Sequence, residues 1–453
     1  MKLNDTHDPA RRSWVESANY PGADFPIQNL PHGVFSVQGT ARRGGIAIGD
    51  KIFDLRAALK EGLFSPDVAE IAELASAERL NSYVSRGNAD ASTLRAAVAT
   101  LLCAAGPQKE RVEALASRLL VTMSDATIHM PLRIGSFSDF MTSVHHVSAA
   151  RRARPARPLN DNFLHLPVAY NSRATSITED GLAFERPWGQ RREEGDQVVF
   201  EPTAMLDFEV EFGAIIGPGN ALGDQIALDD AEKHIFGYVL VNDWSARDIQ
   251  MWESRLGPFL GKSFRSTISP WIVTTEALAP FAATPLPRGA DQPQPLPYLD
   301  SDQHRASGAL DVDLTAYLST AKMRSAGLPA NLIVDTKLIH CAWTLPQMVA
   351  HHTSNGCNLE PGDLISTGTV SGPEEEAAAC LFERTAGVLP LELTAGERRV
   401  WLEDGDYFKI CGRAERENFV GIGFGNCGAE ILPARPRAKL TRNATSLTEG
   451  SVT

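Results

Sequence analysis

LDFEVEFGAIIG, residues 206–217, alternates apolar Leu206, Phe208, Val210 and Phe212 with acidic Asp207, Glu209 and Glu211. A period of two is that of a β-strand, whose successive side chains face opposite sides. Same-face positions along a strand lie only ~6.5–7 Å apart. Three carboxylates in file, with no Lys or Arg between them, can be read in two ways. One is a half-exposed strand with a solvated acidic face; the other is an edge that holds a cation.

Downstream, IFGYVLV (235–241) reads as a buried strand, and Asn242-Asp243 then falls at its end, where a sheet usually presents functional groups. SARDIQMW (245–252) begins a helix in which Arg247 and Gln250, three apart, are neighbours on one face. Lys262 lies in a Gly-rich turn. A plainer reading has Asp243 capping that helix and Arg247 pairing with a surface acid. Upstream, SFSDFMTSVHHVSAARR (136–152) reads as a helix started by Ser136 or Ser138, with Asp139 in its first turn suiting the helix dipole. Asp139 and His146 are then two turns apart and share a face, while His145 points about 100° away. A surface helix with a chance acid and histidine is the alternative.

The chain's 453 residues exceed one ordinary core and call for two or three domains. Residues 1–125 hold few reactive groups; GVFSVQGTARRGGIAIGDKIFDL (33–55) reads as short strands broken by glycine turns, and 94–106 and 110–120 as helices. Residues 126–433 are rich in strands and turns and hold the polar groups of interest. Residues 434–453 are basic and nearly free of aliphatic bulk, the composition of a disordered tail.

A net charge of −13 argues against nucleic-acid and anionic-membrane partners. No apolar run approaches the ~18–20 residues that span a bilayer, and the N-terminus has no apolar signal segment. Six cysteines without a CxxC pair suggest neither a zinc site nor a disulfide framework, so the expected location is cytoplasmic. GPFLGKS (257–263) and GPGNALG (217–223) imitate nucleotide-binding loops, but their glycine spacings are wrong.

NDWSARDIQ followed by Trp252 and GPFLGKSF, the DFEVEF strand, the SDF…HH segment, HLPVAYNSRATSI (165–177) and NGCNLEPGDLISTGTVSGPE (355–374) together resemble the fumarylacetoacetate hydrolase family. The resemblance runs from about Phe25 to about Pro433. It implies a mainly β, α+β fold: an SH3-like N-terminal β-barrel followed by a larger β-roll catalytic domain, working as a homodimer. It also implies a Mg²⁺ or Ca²⁺ ion held by Asp139, Glu209, Glu211 and Asp243, which favours the second reading of the opening strand. Such hard cations take oxygen ligands and cancel carboxylate repulsion. His146 would be the general base with Glu383 as its acidic partner, and Lys262, Arg247 and Gln250 would stabilise enolate charge. Tyr170 and Thr369 match substrate-holding positions. Asp207 has no role in the family and is taken as structural.

The implied reaction is hydrolysis of a carbon–carbon bond in a 1,3-diketo acid, with fumarylacetoacetate the leading substrate, in tyrosine, phenylalanine or other aromatic catabolism. Some substrate-side positions depart from the family pattern. Met141 and Ser254 stand where it places tyrosines, Arg265 where it places glycine beside a second ion, and Asn171-Ser172 where it places His-Gly. Arg154 is a candidate to meet a substrate carboxylate. Losing donors alters specificity more than reaction type. A relative acting on another acylpyruvate or diketo acid, or a non-catalytic dicarboxylate-binding paralogue, are therefore the alternatives. Retention of both His146 and Glu383 counts against the last.

Overall fold

The computed structural model describes residues 2–148, 161–193, 195, 197–290 and 292–437. The Gly-broken stretch of the N-terminal part forms antiparallel strands His32–Val37, Arg43–Ile48 and Lys51–Asp54. Leu120–Thr122 and Ala126–His129 close this sheet on either side, the latter pairing with His32–Val37. Helices fill the excursion between Asp54 and Leu120. The longest, Asn88–Leu102, buries Leu94, Val98, Leu101 and Leu102. The sequence reading places its start six residues late, because the first turn carries Asp90 and no large apolar residue.

The larger part is built on an eight-stranded mixed sheet. Along its main path the order is Val168–Asn171, Phe137–Met141, Leu364–Ser366, Val210–Ile216, Ile235–Asp243, Ser266–Ile268 and Ile177–Glu179. A five-stranded sheet, which includes Asp313–Ser319, Tyr407–Ala414 and Ile422–Leu432, packs on one face. Phe212 meets Phe424 there edge-on, with centroids 5.2 Å apart, and Phe208 stacks on Phe408 at 3.9 Å. The other face, through Ile215, Val239, Val241 and Leu364, shares one apolar core with the N-terminal helices. A mainly β, α+β fold is what results.

Val210–Ile216 is therefore central, with a strand on each side and a core on each face. Asp207, Glu209 and Glu211 are 0, 4 and 0% exposed, which rules out the solvated acidic face. The alternation is also interrupted. Leu206–Asp207 pairs with Ser245–Ala246, and the central strand begins only at Val210.

One local expectation fails. Asp139 is on no helix: Phe137–Met141 is a strand, parallel to Leu364–Ser366 and antiparallel to Val168–Asn171. Phe137 and Phe140 are buried in two different cores on opposite faces. Residues three apart on a helix would point the same way, so only a strand serves both. The helix starts later and runs Val144–Ser148. Lys262 lies in a short helix, Leu260–Ser263, rather than in a turn. No helix among the described residues is long and apolar enough to cross a membrane, and all six cysteines are free thiols.

Candidate active site

Cross-strand partners in a sheet share a face. Asp139 lies opposite both Tyr170 and Ser366, Ser366 opposite Gly213, and Asp243 opposite Ser266. Glu211, two residues from Gly213, is on that face as well. One carboxylate oxygen each from Asp139, Glu211 and Asp243 lie within 4.8 Å of one another, all buried. Ser366 Oγ donates to Glu211, Ser266 Oγ donates to Asp243 Oδ1 at 2.7 Å, and Tyr170 Oη donates to Asp243 Oδ2 at 3.1 Å.

Glu209 stands beside this trio, tied to it through a cation of the chain. Lys262 Nζ pairs with Glu209 and, at 2.8 Å, with Asp243 Oδ2. Gly261 makes that approach possible: a Cβ there would come within 2.6 Å of the Gln250 backbone nitrogen, so only glycine lets the two helices touch. Arg247 Nη1 forms an ion pair with Glu209 Oε1 at 2.7 Å and donates to Gln250 Oε1 at 3.2 Å; Arg247 and Gln250 both lie on helix Arg247–Glu253.

The electrostatics are lopsided. Burial, reinforced by Asp243, raises the Asp139 carboxyl well above the usual carboxylate range; burial and then Asp139 do the same to Glu211. Burial also raises Asp243, although Lys262 opposes it. Glu209 goes the other way. Burial would raise it, but Lys262, Arg247 and His146 hold it ionised and well below normal. Among the described residues, Asp139 Oδ1 and Glu211 Oε1 are buried acceptors with no hydrogen-bond partner. Unpaired buried acceptors that all belong to carboxylates fit a hard divalent cation, which is held by oxygen ligands and stabilises the ionised forms. No sulfur or imidazole belongs to this trio, which is unlike a zinc site.

His146 Nδ1 lies 2.7 Å from Glu383 Oε1, and Ser371 Oγ donates to Glu383 Oε2 at 2.6 Å. Ser143 Oγ accepts from the His146 amide at 3.2 Å and donates to Ser371 O at 2.7 Å, tying the two segments together. Thr369 is buried, and among the described residues its Oγ1 has no partner; Arg247 Nη2 is likewise a buried donor without an acceptor there.

Other candidates lie further out. Met141 ends its strand 40% exposed. Ser254 is exposed and donates only to Met251 O, because the chain leaves its helix there and turns outward. Arg265 donates to Leu182 O at 2.6 Å and covers the Phe184 ring. Arg154 lies outside the described residues. Ser266, Ser366 and Ser371 were missed by the sequence reading. The hydroxyl-rich ISTGTVSGPE (365–374) was the available signal for two of them.

A family model described as Fumarylacetoacetate (FAA) hydrolase C-terminal matches residues 136–431, and one described as Fumarylacetoacetase N-terminal matches residues 28–131. The chain belongs to the fumarylacetoacetate hydrolase family. Among curated members of the family, the fumarylacetoacetase of Oryza sativa subsp. japonica is 42% identical over 94% of this chain and 98% of its own length. That of Homo sapiens is 39% identical over 91% and 97%. The solved fumarylacetoacetate hydrolase of Exiguobacterium antarcticum is 17% identical, with a TM-score of 0.47 over 90% of this chain and all of its own.

Proposed function

We propose that this chain is a metal-dependent hydrolase that cleaves fumarylacetoacetate to fumarate and acetoacetate. The observation that carries the reading is an all-oxygen carboxylate cluster linked to an imidazole–carboxylate pair: Glu209 pairs with Arg247, Asp207 ties Arg247 to the helix of Glu383, and His146 helps hold Glu209 ionised. A binding module needs the first of these but has no use for the second. The family and its full-length fumarylacetoacetase relatives point the same way.

Asp139, Glu209, Glu211 and Asp243 would hold the cation, Mg²⁺ or Ca²⁺. When bound, it supplies positive charge and Lewis acidity towards the diketone oxygens. The remaining work belongs to the chain. Glu383 engages His146 Nδ1, fixing the tautomer, so Nε2 is the nitrogen that takes a proton from water. The resulting hydroxide adds to the fumaryl ketone carbon. The bond from that carbon to the diketone methylene then breaks, and its electron pair leaves as the enolate of acetoacetate. Protonation at carbon by the imidazolium closes the balance. The Arg247 guanidinium, Gln250 and Lys262 face the developing oxyanions; losing one such donor usually costs ~10²–10³ in rate. Tyr170 and Thr369 would hold the substrate. Met141 contributes no hydrogen-bond donor where the family pattern has a tyrosine, which relaxes discrimination among diketo acids. Work as a cytoplasmic homodimer in tyrosine and phenylalanine catabolism belongs to the same proposal.

The test strips metal from the purified protein, restores Mg²⁺ or Ca²⁺, and follows loss of the diketone absorbance. Metal-dependent turnover of fumarylacetoacetate is expected, falling ~10²-fold or more in His146→Ala and in Glu209→Ala. Undiminished turnover in either variant refutes the assignment of that residue. Turnover of simple acylpyruvates in preference to fumarylacetoacetate replaces the substrate but keeps the mechanism.

A further inference from the structure

We infer that Asp207 is a positioning residue, holding the oxyanion donor Arg247 and the helix that carries Glu383 in one fixed relation. The inference rests on the function proposed above and adds to it a residue with no contact to substrate or metal.

Asp207 is fully buried and accepts four hydrogen bonds. Oδ1 takes the amides of Phe208 and Leu381, at 2.8 and 2.7 Å; Oδ2 takes the Phe382 amide at 3.1 Å and Arg247 Nε at 2.9 Å. Leu381 and Phe382 are the first two residues of helix Leu381–Thr385, whose own N-cap, Cys380, makes no side-chain cap bond. The first amides of a helix need an acceptor from somewhere. Here it comes from 174 residues away, and it is the same carboxylate that grips the guanidinium. Glu383 is one residue beyond Phe382 and reaches His146. Arg247 uses its other edge for Glu209 and Gln250. One anion thus indexes the two halves of the chemistry against each other. Charge-assisted bonds to a planar fork also fix orientation in a way a single neutral acceptor does not.

Asp207→Asn keeps the shape but has one acceptor oxygen, so its NH₂ must face donors on one side. Three kinetic readings separate positioning from mere folding. First, kcat should fall by ~10–10²-fold, below the loss from deleting a donor outright, with KM little changed. Second, in an Arg247→Gln background the same change should cost much less than in wild type, because its effect runs through Arg247. Third, Glu276→Gln, which removes the carboxylate facing buried Arg95 of helix Asn88–Leu102, should lower thermal stability and leave kcat alone.

Asp207→Glu, which retains the anion on a longer arm, carries the same test should the Asn variant not fold. Wild-type kcat in a folded variant, a full multiplicative loss in the Arg247→Gln background, or failure of both variants to fold would each overturn the inference. A wild type inactive on fumarylacetoacetate and on simple acylpyruvates alike overturns the function itself, and the inference with it.

Discussion

At the scale of single residues, the site is a charge imbalance held in a dry place. Of the four acids, Glu209 pairs with Arg247 and Lys262 and Asp243 with Lys262, and Arg247 is shared with Asp207. Lys262 lies between Glu209 and Asp243, which leaves Asp139 and Glu211 each with one oxygen that has no hydrogen-bond partner among the described residues. Divalent metal should therefore raise the thermal unfolding temperature of chelator-treated protein. At one hundred times its dissociation constant the gain is about 2.7 kcal/mol. Glu211→Gln should remove most of that gain while making the metal-free protein more stable than wild type, since the wild-type carboxyl, raised by burial, must take up a proton on folding, which costs stability at neutral pH. Thermal scans with chelator and with added Ca²⁺ check both. The residue types at the site were readable in the sequence. Asp207 was not, because nothing in a two-residue alternation says which acid faces a helix start 174 positions away.

At the scale of elements, the strands were legible wherever apolar residues ran together, as in 235–241, or alternated, as in 206–212. Residues 136–141 were misread because Ser136 and Asp139 imitate a helix start. Their strand character comes from two neighbours, Leu364–Ser366 and Val168–Asn171, that are remote in sequence. The turn after Ser366 depends on one glycine. Gly368 has φ of 70°, and a Cβ there would lie 2.0 Å from the Phe140 carbonyl oxygen. Gly368→Ala should thus destabilise the protein by more than the ~1 kcal/mol typical of a left-handed position alone. It should also depress kcat/KM, since the displaced carbonyl is next to Asp139 and the shifted turn carries Thr369. Paired melting curves and steady-state kinetics would show both effects; loss of stability with intact kcat/KM would contradict the second.

At the scale of the molecule, the question is how the N-terminal sheet is joined to the sheet that carries the site. His32 opens the first strand and bridges to Ile272 through two backbone hydrogen bonds of 3.0 and 2.8 Å. Its ring, 1% exposed, is 5.0 Å from the Tyr83 ring and 6.1 Å from that of Phe236, on a central strand of the large sheet. Burial, with a smaller push from Arg95, lowers its pKa to about 3. The unfolded chain binds this proton near pH 6.5 and the folded chain does not, so acid favours unfolding. Stability from this residue is complete above about pH 6.5 and is lost as pH falls towards 3, at about 1.4 kcal/mol per unit. Between pH 7.5 and 5 the wild type should lose about 2 kcal/mol more than His32→Gln, whose side chain does not titrate. Urea unfolding at the two pH values, followed through the buried tryptophans, measures that difference. Equal pH slopes for the two proteins would mean that this junction does not sense the proton.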